Sequence, residues 1–156
     1  MQDPALAASV DFEEKALQKI YQKTQGYPYF LQEWGYKAWN KAASSPITSE
    51  VVSAATVEVI EQLDNNFFKV RFDRLTTSER NFLRMMAELG KGPYKVADIA
   101  QQFHSKVSTL SPIRASLMKK GMIYSPSYGY IAFTVPLFDE FMTRTIFIKL
   151  KINQIR

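Results

Sequence analysis

The hydrophobic positions of residues 11–68 recur at the three- and four-residue spacing of amphipathic helices. Asp11 is the candidate N-cap of the first helix, Gly26 breaks it, and Pro28 fits the first position of the second. Ser44-Ser45-Pro46 is typical of a loop before a third helix. The pattern therefore predicts a small bundle of three helices. Its apolar positions are Phe12, Ala16, Leu17, Ile20, Tyr21, Phe30, Leu31, Trp34, Ala38, Trp39, Val51 and Val52.

Beyond Leu75 the pattern changes to shorter segments. Thr76 or Thr77 followed by Glu79 indicates a capped helix start, and Ser111 before Pro112 indicates another. The predicted elements are, in order, a helix, a short helix, a turn at 104–108, a helix ending at Gly121, strands at 123–125 and 130–134, and a closing helix from Pro136. The positions predicted to face inward are Phe82, Leu83, Met86 and Leu89 on the first helix, Val96, Ile99, Ala100 and Phe103 on the short helix, and Ile113, Leu117 and Met118 on the third. The order of these elements is that of a winged helix-turn-helix.

The fold class expected is therefore mainly α: a small helical bundle, then a winged helix-turn-helix with a β-hairpin wing. We place the bundle at residues 11–70 and the winged helix at 71–144. Residues 1–10 form a leader that we expect to be disordered or foreign to the protein. Residues 145–156 form a basic tail, for which an extra strand, a basic arm and a foreign segment all remain open.

Composition excludes several classes of site. The absence of cysteine excludes disulfides and thiolate metal sites, and the single histidine, His104, speaks against a histidine metal site or catalytic triad. No glycine-rich phosphate loop is present, so we expect no catalysis by this chain alone. No apolar run reaches the length of a membrane span, and a cytoplasmic location is expected.

Charge is divided unevenly along the chain. Residues 1–66 contain 5 Lys and Arg against 9 Asp and Glu, whereas residues 67–156 contain 15 against 6. A basic second half suggests contact with a polyanion, and double-stranded DNA is the partner that a winged helix favours. The candidate DNA-binding residues are Lys106, Ser108, Thr109, Ser111, Arg114, Lys119, Lys120, Tyr128 and Tyr130, with Ser116 also expected to be exposed. Because winged helices also bind proteins, a protein partner remains the alternative.

Two blocks of sequence, residues 24–33 (TQGYPYFLQE) and residues 111–138, carry a family resemblance. They resemble the C-terminal part of prokaryotic P-loop ATPases of the AAA+/STAND type. The resemblance implies that residues 11–70 are a lid over nucleotide held by an N-terminal ATPase core, with a G-x-P motif at Gly26 and Pro28 near the adenine. ATP and Mg²⁺ would be cofactors of the intact ATPase. No sensor arginine follows Gly26, which favours a STAND-like arrangement over direct phosphate sensing.

The resemblance implies a fragment in which nucleotide state moves a DNA-binding winged helix, mainly through contacts to the DNA backbone. Two alternatives stay open at this point. In the first alternative, the winged helix is a regulatory module that docks on the core or on another protein. In the second, the chain is a free-standing transcription regulator with a helical dimerisation region.

Overall fold

The computed structural model describes residues 11–155, with side chains through Thr145 and at Gln154. The described chain is mainly helical with one small three-stranded antiparallel sheet. It divides into two compact units, with the boundary between Lys69 and Val70. The predicted leader, residues 1–10, lies outside the described residues.

The first unit contains three helices. They are α1 (Glu14–Thr24), α2 (Pro28–Lys41) and α3 (Ser49–Leu63), followed by a π-helical turn at Asp64–Phe68. The break between α1 and α2 is as predicted, since Gln25 and Gly26 both have positive φ and Pro28 is the first residue of α2. Asp11 is not the N-cap of α1. Its segment pairs with the loop before α3, where the Phe12 backbone bridges to Ile47, so α1 begins only after Glu13.

Aromatic side chains form much of the core of the first unit. Phe30 and Trp34 are fully buried on α2, and the Trp34 indole Nε1 donates to Thr56 Oγ1 on α3 at 3.0 Å. Phe30 packs edge-on against Phe67 and Phe68 of the π-helical turn. The predicted inward set was partly wrong for α1, because Tyr21 is 63% exposed. Ala16, Ile20 and Thr24 define the buried face of that helix instead.

The second unit follows the predicted order of elements with two additions. Its elements are α4 (Lys69–Asp73), α5 (Thr77–Glu88), β1 (Tyr94–Lys95), α6 (Val96–Gln102), α7 (Val107–Lys119), β2 (Ile123–Tyr124), β3 (Tyr130–Phe133) and α8 (Phe138–Ile155). The hairpin of β2 and β3 was predicted, whereas the short helix α4 and the strand β1 were not. The sheet order is β1-β3-β2, with Tyr94 opposite Ile131 and Ile123 opposite Phe133.

Helix α7 begins five residues earlier than the sequence suggested. The expected cap at Ser111 and start at Pro112 are wrong, because α7 starts at Val107 after Lys106, and Pro112 lies inside the helix. Proline lacks an N–H, so the helix forgoes one hydrogen bond to the carbonyl of Ser108. The turn before α7 is correspondingly shorter. It is closed by His104 in the left-handed region, whose N–H donates to the carbonyl of Gln101.

The buried face of α5 carries Phe82, Leu83 and Met86 as predicted, but Leu89 is 38% exposed and caps the helix end instead. Of the two threonines predicted as the cap of α5, Thr76 rather than Thr77 is the N-cap residue of the capping box. The closing helix α8 starts at Phe138 rather than Pro136 and runs through the tail to Ile155, so within the described residues the tail continues this helix.

Candidate nucleic-acid interface

Helix α7 presents two opposite faces. Residues three or four apart share a face of a helix, and the inward face carries Leu110 and Leu117, which are both buried. The outward face carries exposed residues at the same spacing: Ser108, Pro112, Ala115 and Lys119. Small side chains dominate this outward face, so the helix backbone is accessible to a flat or grooved partner.

Two candidate cations lie at the ends of α7. Lys106 is exposed as the N-cap residue before the helix, and Lys119 is exposed in its last turn. Neither ammonium forms an ion pair with another described residue of the chain. Thr109 and Ser111 add exposed hydroxyls near the helix start. These groups are the types that contact phosphate oxygens in protein–DNA complexes.

Arg114 occupies a different place from the one expected. It follows Leu110 by four residues and precedes Leu117 by three, so it belongs to the inward side of α7 and is only partly exposed. Its Nε atom is enclosed and has no hydrogen-bond partner within the described part of the chain. The expectation that Arg114 is exposed is corrected by this placement.

Lys120 and Ser116 are engaged with a buried carboxylate. Glu79, which is 4% exposed, accepts from Ser116 Oγ at 2.6 Å and from Lys120 Nζ at 2.8 Å. It also accepts from the backbone N–H of Thr76 at 3.0 Å as part of the capping box. The sequence indicated the capping box but not these partners on α7. This network fixes the start of α5 against the end of α7, and it draws the Lys120 ammonium towards α5.

The environment of Glu79 sets the protonation state of its carboxyl. Burial alone would raise its pKa, but the hydrogen bonds from Lys120, Ser116 and the Thr76 N–H, together with the positive charge of Lys120, lower the pKa below its ordinary value. The carboxylate is therefore ionised at neutral pH, which keeps the pair with Lys120 intact.

The hairpin presents one aromatic side chain to solvent without cover. Tyr128 is fully exposed in the turn between β2 and β3, whereas Tyr130 is partly buried within β3. The turn is tied by Ser125, whose hydroxyl lies 2.9 Å from the carbonyl oxygens of both Ser127 and Tyr130. Gly129 has a φ of 76°, as the turn requires. The hydrogen bonds of Ser125 thus fix the conformation of the turn, in which the Tyr128 side chain is exposed to solvent.

In the first unit, the predicted nucleotide-contact residues lie at the junction of α1 and α2. Gly26 has a φ of 76°, and a Cβ at this position would lie 3.1 Å from Cε2 of Tyr21. Pro28 is exposed at the start of α2, which has no side-chain cap among the described residues. Tyr27, between them, packs against Phe30 at a ring-centroid distance of 4.7 Å. Core packing thus explains this aromatic residue without a ligand.

The described residues contain no group of three or more acidic or histidine side chains placed to hold a metal ion. None of the described helices is both long and apolar enough to cross a membrane.

The fold places the chain among mainly α proteins with a small antiparallel sheet. More particularly, residues 65–142, half of the chain, match the family model described as "Domain of unknown function (DUF8462)", and the chain belongs to this family. No curated protein matches it. Solved structures of the Thermotoga maritima RuvB Holliday junction branch migration motor and of its mutants are similar at 18% identity and a TM-score of 0.36. The similarity covers 84% of this chain.

The same alignments cover 42 to 43% of the RuvB chains, so this chain spans less than half of their length. A structural similarity of this size is too weak to carry a functional argument.

Proposed function

We propose that the second unit is a winged helix that binds double-stranded DNA, mainly through the phosphate backbone. The observation that carries this proposal is that Lys106 and Lys119 are exposed at opposite ends of α7, a helix whose outward residues between them are small. A helix of 13 residues is about 20 Å long, and its two end cations would reach separate phosphates. Tyr128 at the hairpin tip supplies a third contact.

The geometry favours backbone contact over base reading. Direct readout of guanine or adenine depends on Arg, Lys, Asn or Gln side chains directed at base edges. The middle of the outward face has Pro112 and Ala115, and the arginine of this helix, Arg114, lies on the inward side. We therefore propose binding with little preference for sequence.

The proposed parent protein is a P-loop ATPase in which the first unit is the lid. This rests on the resemblance of residues 24–33 and on the geometry at the start of α2, where Gly26 lacks a side chain and the first turn is uncapped. Gly26 and Pro28 would lie beside the adenine of ATP. By the same resemblance, Mg²⁺ and the phosphates of ATP would be bound by the ATPase core.

Salt dependence tests the DNA proposal. Each neutralised phosphate contributes about −0.9 to the slope of log K against log salt. Two to four phosphate contacts therefore predict that affinity for a labelled duplex falls by about 10- to 150-fold between 50 and 200 mM salt. Fluorescence anisotropy of the full 156-residue chain measures this slope.

Two double variants that remove the same charge from different units test whether α7 forms the DNA contact. Lys106→Ala with Lys119→Ala should lower the slope by about 1.8 and weaken binding at 50 mM salt by about tenfold or more. The control is Lys15→Ala with Lys23→Ala, which removes the same charge from exposed positions of the first unit. Equal losses in the two double variants, or absence of binding at 50 mM salt, would contradict the proposal.

A protein-contact module is the second candidate. Small neutral residues such as Pro112 and Ala115 on the outward face also suit close packing against a protein surface. In that case the chain would fail to bind duplex DNA at 50 mM salt, and the docking partner would be the ATPase core or another protein.

A further inference from the structure

The small sheet of the second unit has one face that the core does not use. Successive residues of a strand point to opposite faces, and the face towards the core carries three buried residues, Tyr94, Ile123 and Ile131. The opposite face, here called the outer face, carries Lys95 of β1, Tyr130 and Ala132 of β3, and Tyr124 of β2. It thus holds two tyrosines, a lysine and one small residue.

The outer face is accessible. Tyr124 is 49% exposed and Lys95 is exposed, whereas Tyr130 and Ala132 are partly exposed. Within the described residues, neither tyrosine hydroxyl forms a hydrogen bond, neither ring contacts another aromatic ring, and the Lys95 ammonium has no ion pair. The contacts of the chain itself therefore leave both rings and the ammonium available to a partner.

The register of the sheet fixes the spacing of these groups. Lys95 lies directly opposite Tyr130, and Tyr124 lies directly opposite Ala132. Tyr124 and Tyr130 are therefore diagonal neighbours on adjacent strands, and such neighbours are about 7 to 8 Å apart in a sheet. Ala132 has no atom beyond Cβ to fill the space beside the two rings. The outer face thus presents two rings a short distance apart, with a cation beside one of them.

The chemistry of the outer face suits unpaired bases. Surfaces that bind single strands combine aromatic rings, on which successive bases stack, with cations that contact the phosphates. Rings on the face of a sheet are a known form of this arrangement. The four outer-face residues include no carboxylate that would repel a phosphate. A protein partner fits less well, because lysine is depleted from protein–protein interfaces, and the bases of a duplex are already stacked on one another.

We propose that the outer face of the sheet binds single-stranded DNA, with two unpaired bases stacked on Tyr124 and Tyr130 and a phosphate held by Lys95. The binding tolerates any sequence, because every base has a face that can stack on a ring. This site does not depend on duplex binding by α7, since none of its residues belongs to that helix.

Fluorescence anisotropy of the full chain with a labelled thymidine oligonucleotide of about 12 nucleotides tests the proposal, since single-strand sites span about 4 to 16 nucleotides. Tyr124→Ala should weaken binding about tenfold, because it removes one stacking ring. Tyr124→Phe keeps the ring and should bind like the wild type. Lys95→Ala should lower the slope of log K against log salt by about 0.7. The control is Tyr36→Ala, which removes a tyrosine that is 61% exposed in the first unit.

The same variants, measured also with a duplex, separate this proposal from duplex binding by α7. Absence of oligonucleotide binding, or equal losses in Tyr124→Ala and Tyr36→Ala, would overturn the proposal and leave the outer face to a protein partner. If Tyr124→Ala weakens duplex binding as much as oligonucleotide binding, the outer face belongs to the duplex surface and the single-strand assignment is wrong. Loss of duplex binding in the Lys106 and Lys119 double variant, with oligonucleotide binding intact, would support two separate sites.

Discussion

Glu79 makes the second unit sensitive to both substitution and acid. Its carboxylate joins three donors: Ser116 Oγ at 2.6 Å, Lys120 Nζ at 2.8 Å and the Thr76 N–H at 3.0 Å. Truncation in Glu79→Ala removes all three and leaves the Lys120 ammonium beside a cavity. Breaking a buried pair by removing one partner costs about 3 to 5 kcal/mol. Because the Lys120 side chain is 36% exposed and can regain water, we expect a loss near the lower end, about 3 kcal/mol.

Glu79→Gln separates the charge from the hydrogen bonds. The amide keeps an acceptor for one donor but loses the attraction to Lys120, so about 1.5 to 3 kcal/mol of unfolding free energy should be lost at pH 7. The pKa of Glu79 is lowered on folding. The stabilisation is therefore complete above the unfolded pKa of about 4.3 and disappears as pH falls through the lower folded value.

Urea unfolding at pH 7, 5, 4 and 3 measures both effects. The difference in unfolding free energy between wild type and Glu79→Gln should be constant between pH 7 and 5 and should shrink below pH 4. Glu61→Gln is the matched control, because Glu61 is exposed on α3, away from the first turn of that helix, and its substitution should change stability little. A difference that stays the same down to pH 3 would refute the reasoning.

Two further predictions concern the backbone around the short helix α6. In Gly92→Ala, the new Cβ would lie 2.6 Å from Cε2 of Tyr94, so we expect a loss of about 1 to 3 kcal/mol. Burial, with Asp139 nearby, raises the pKa of Tyr94 to about 12. If the new Cβ displaces the Tyr94 ring, ultraviolet titration of Gly92→Ala should show a lower pKa for Tyr94. A variant with unchanged stability and an unchanged Tyr94 pKa would contradict the prediction. His104→Gly should raise the unfolding free energy by about 0.5 to 1 kcal/mol, because His104 has a φ of 51°. His104→Ala should give no such gain in thermal unfolding, and equal effects of the two would disprove the explanation.

Two signals confined to neighbouring residues were read correctly from the sequence, whereas the helix caps expected at Asp11 and Ser111 were not. The capping box of Thr76 and Glu79 and the break at Gly26 and Pro28 each depend on chemistry within a few residues. The start of α7 was misread because Ser111-Pro112 has the composition of a helix start, whereas the real N-cap, Lys106, provides no side-chain cap. The preference of Ser111-Pro112 for a helix start was outweighed by the packing of Leu110, which is buried in the first turns of α7.

The misplacement of Arg114 has a different origin. Arg114 precedes Leu117 by three residues and Met118 by four, so the predicted inward set already placed it on the inward side, and the expectation that it is exposed did not follow from this spacing. The Glu79 network and the pairing of β1 with β3 could not be predicted, because they join residues far apart in sequence and need the fold to bring them together.

The central position of β3 has a consequence for how the second unit forms. β3 pairs with its neighbour in sequence, β2, and also with β1, and the chain between β1 and β3 contains all of α6 and α7. The hairpin can form early because its loop is short, but the β1–β3 pairing closes a long loop and carries a larger entropic cost. Completion of the sheet therefore closes a loop that contains both helices. Any segment that retains the complete sheet must reach from before β1 to beyond β3, as residues 65–142 do.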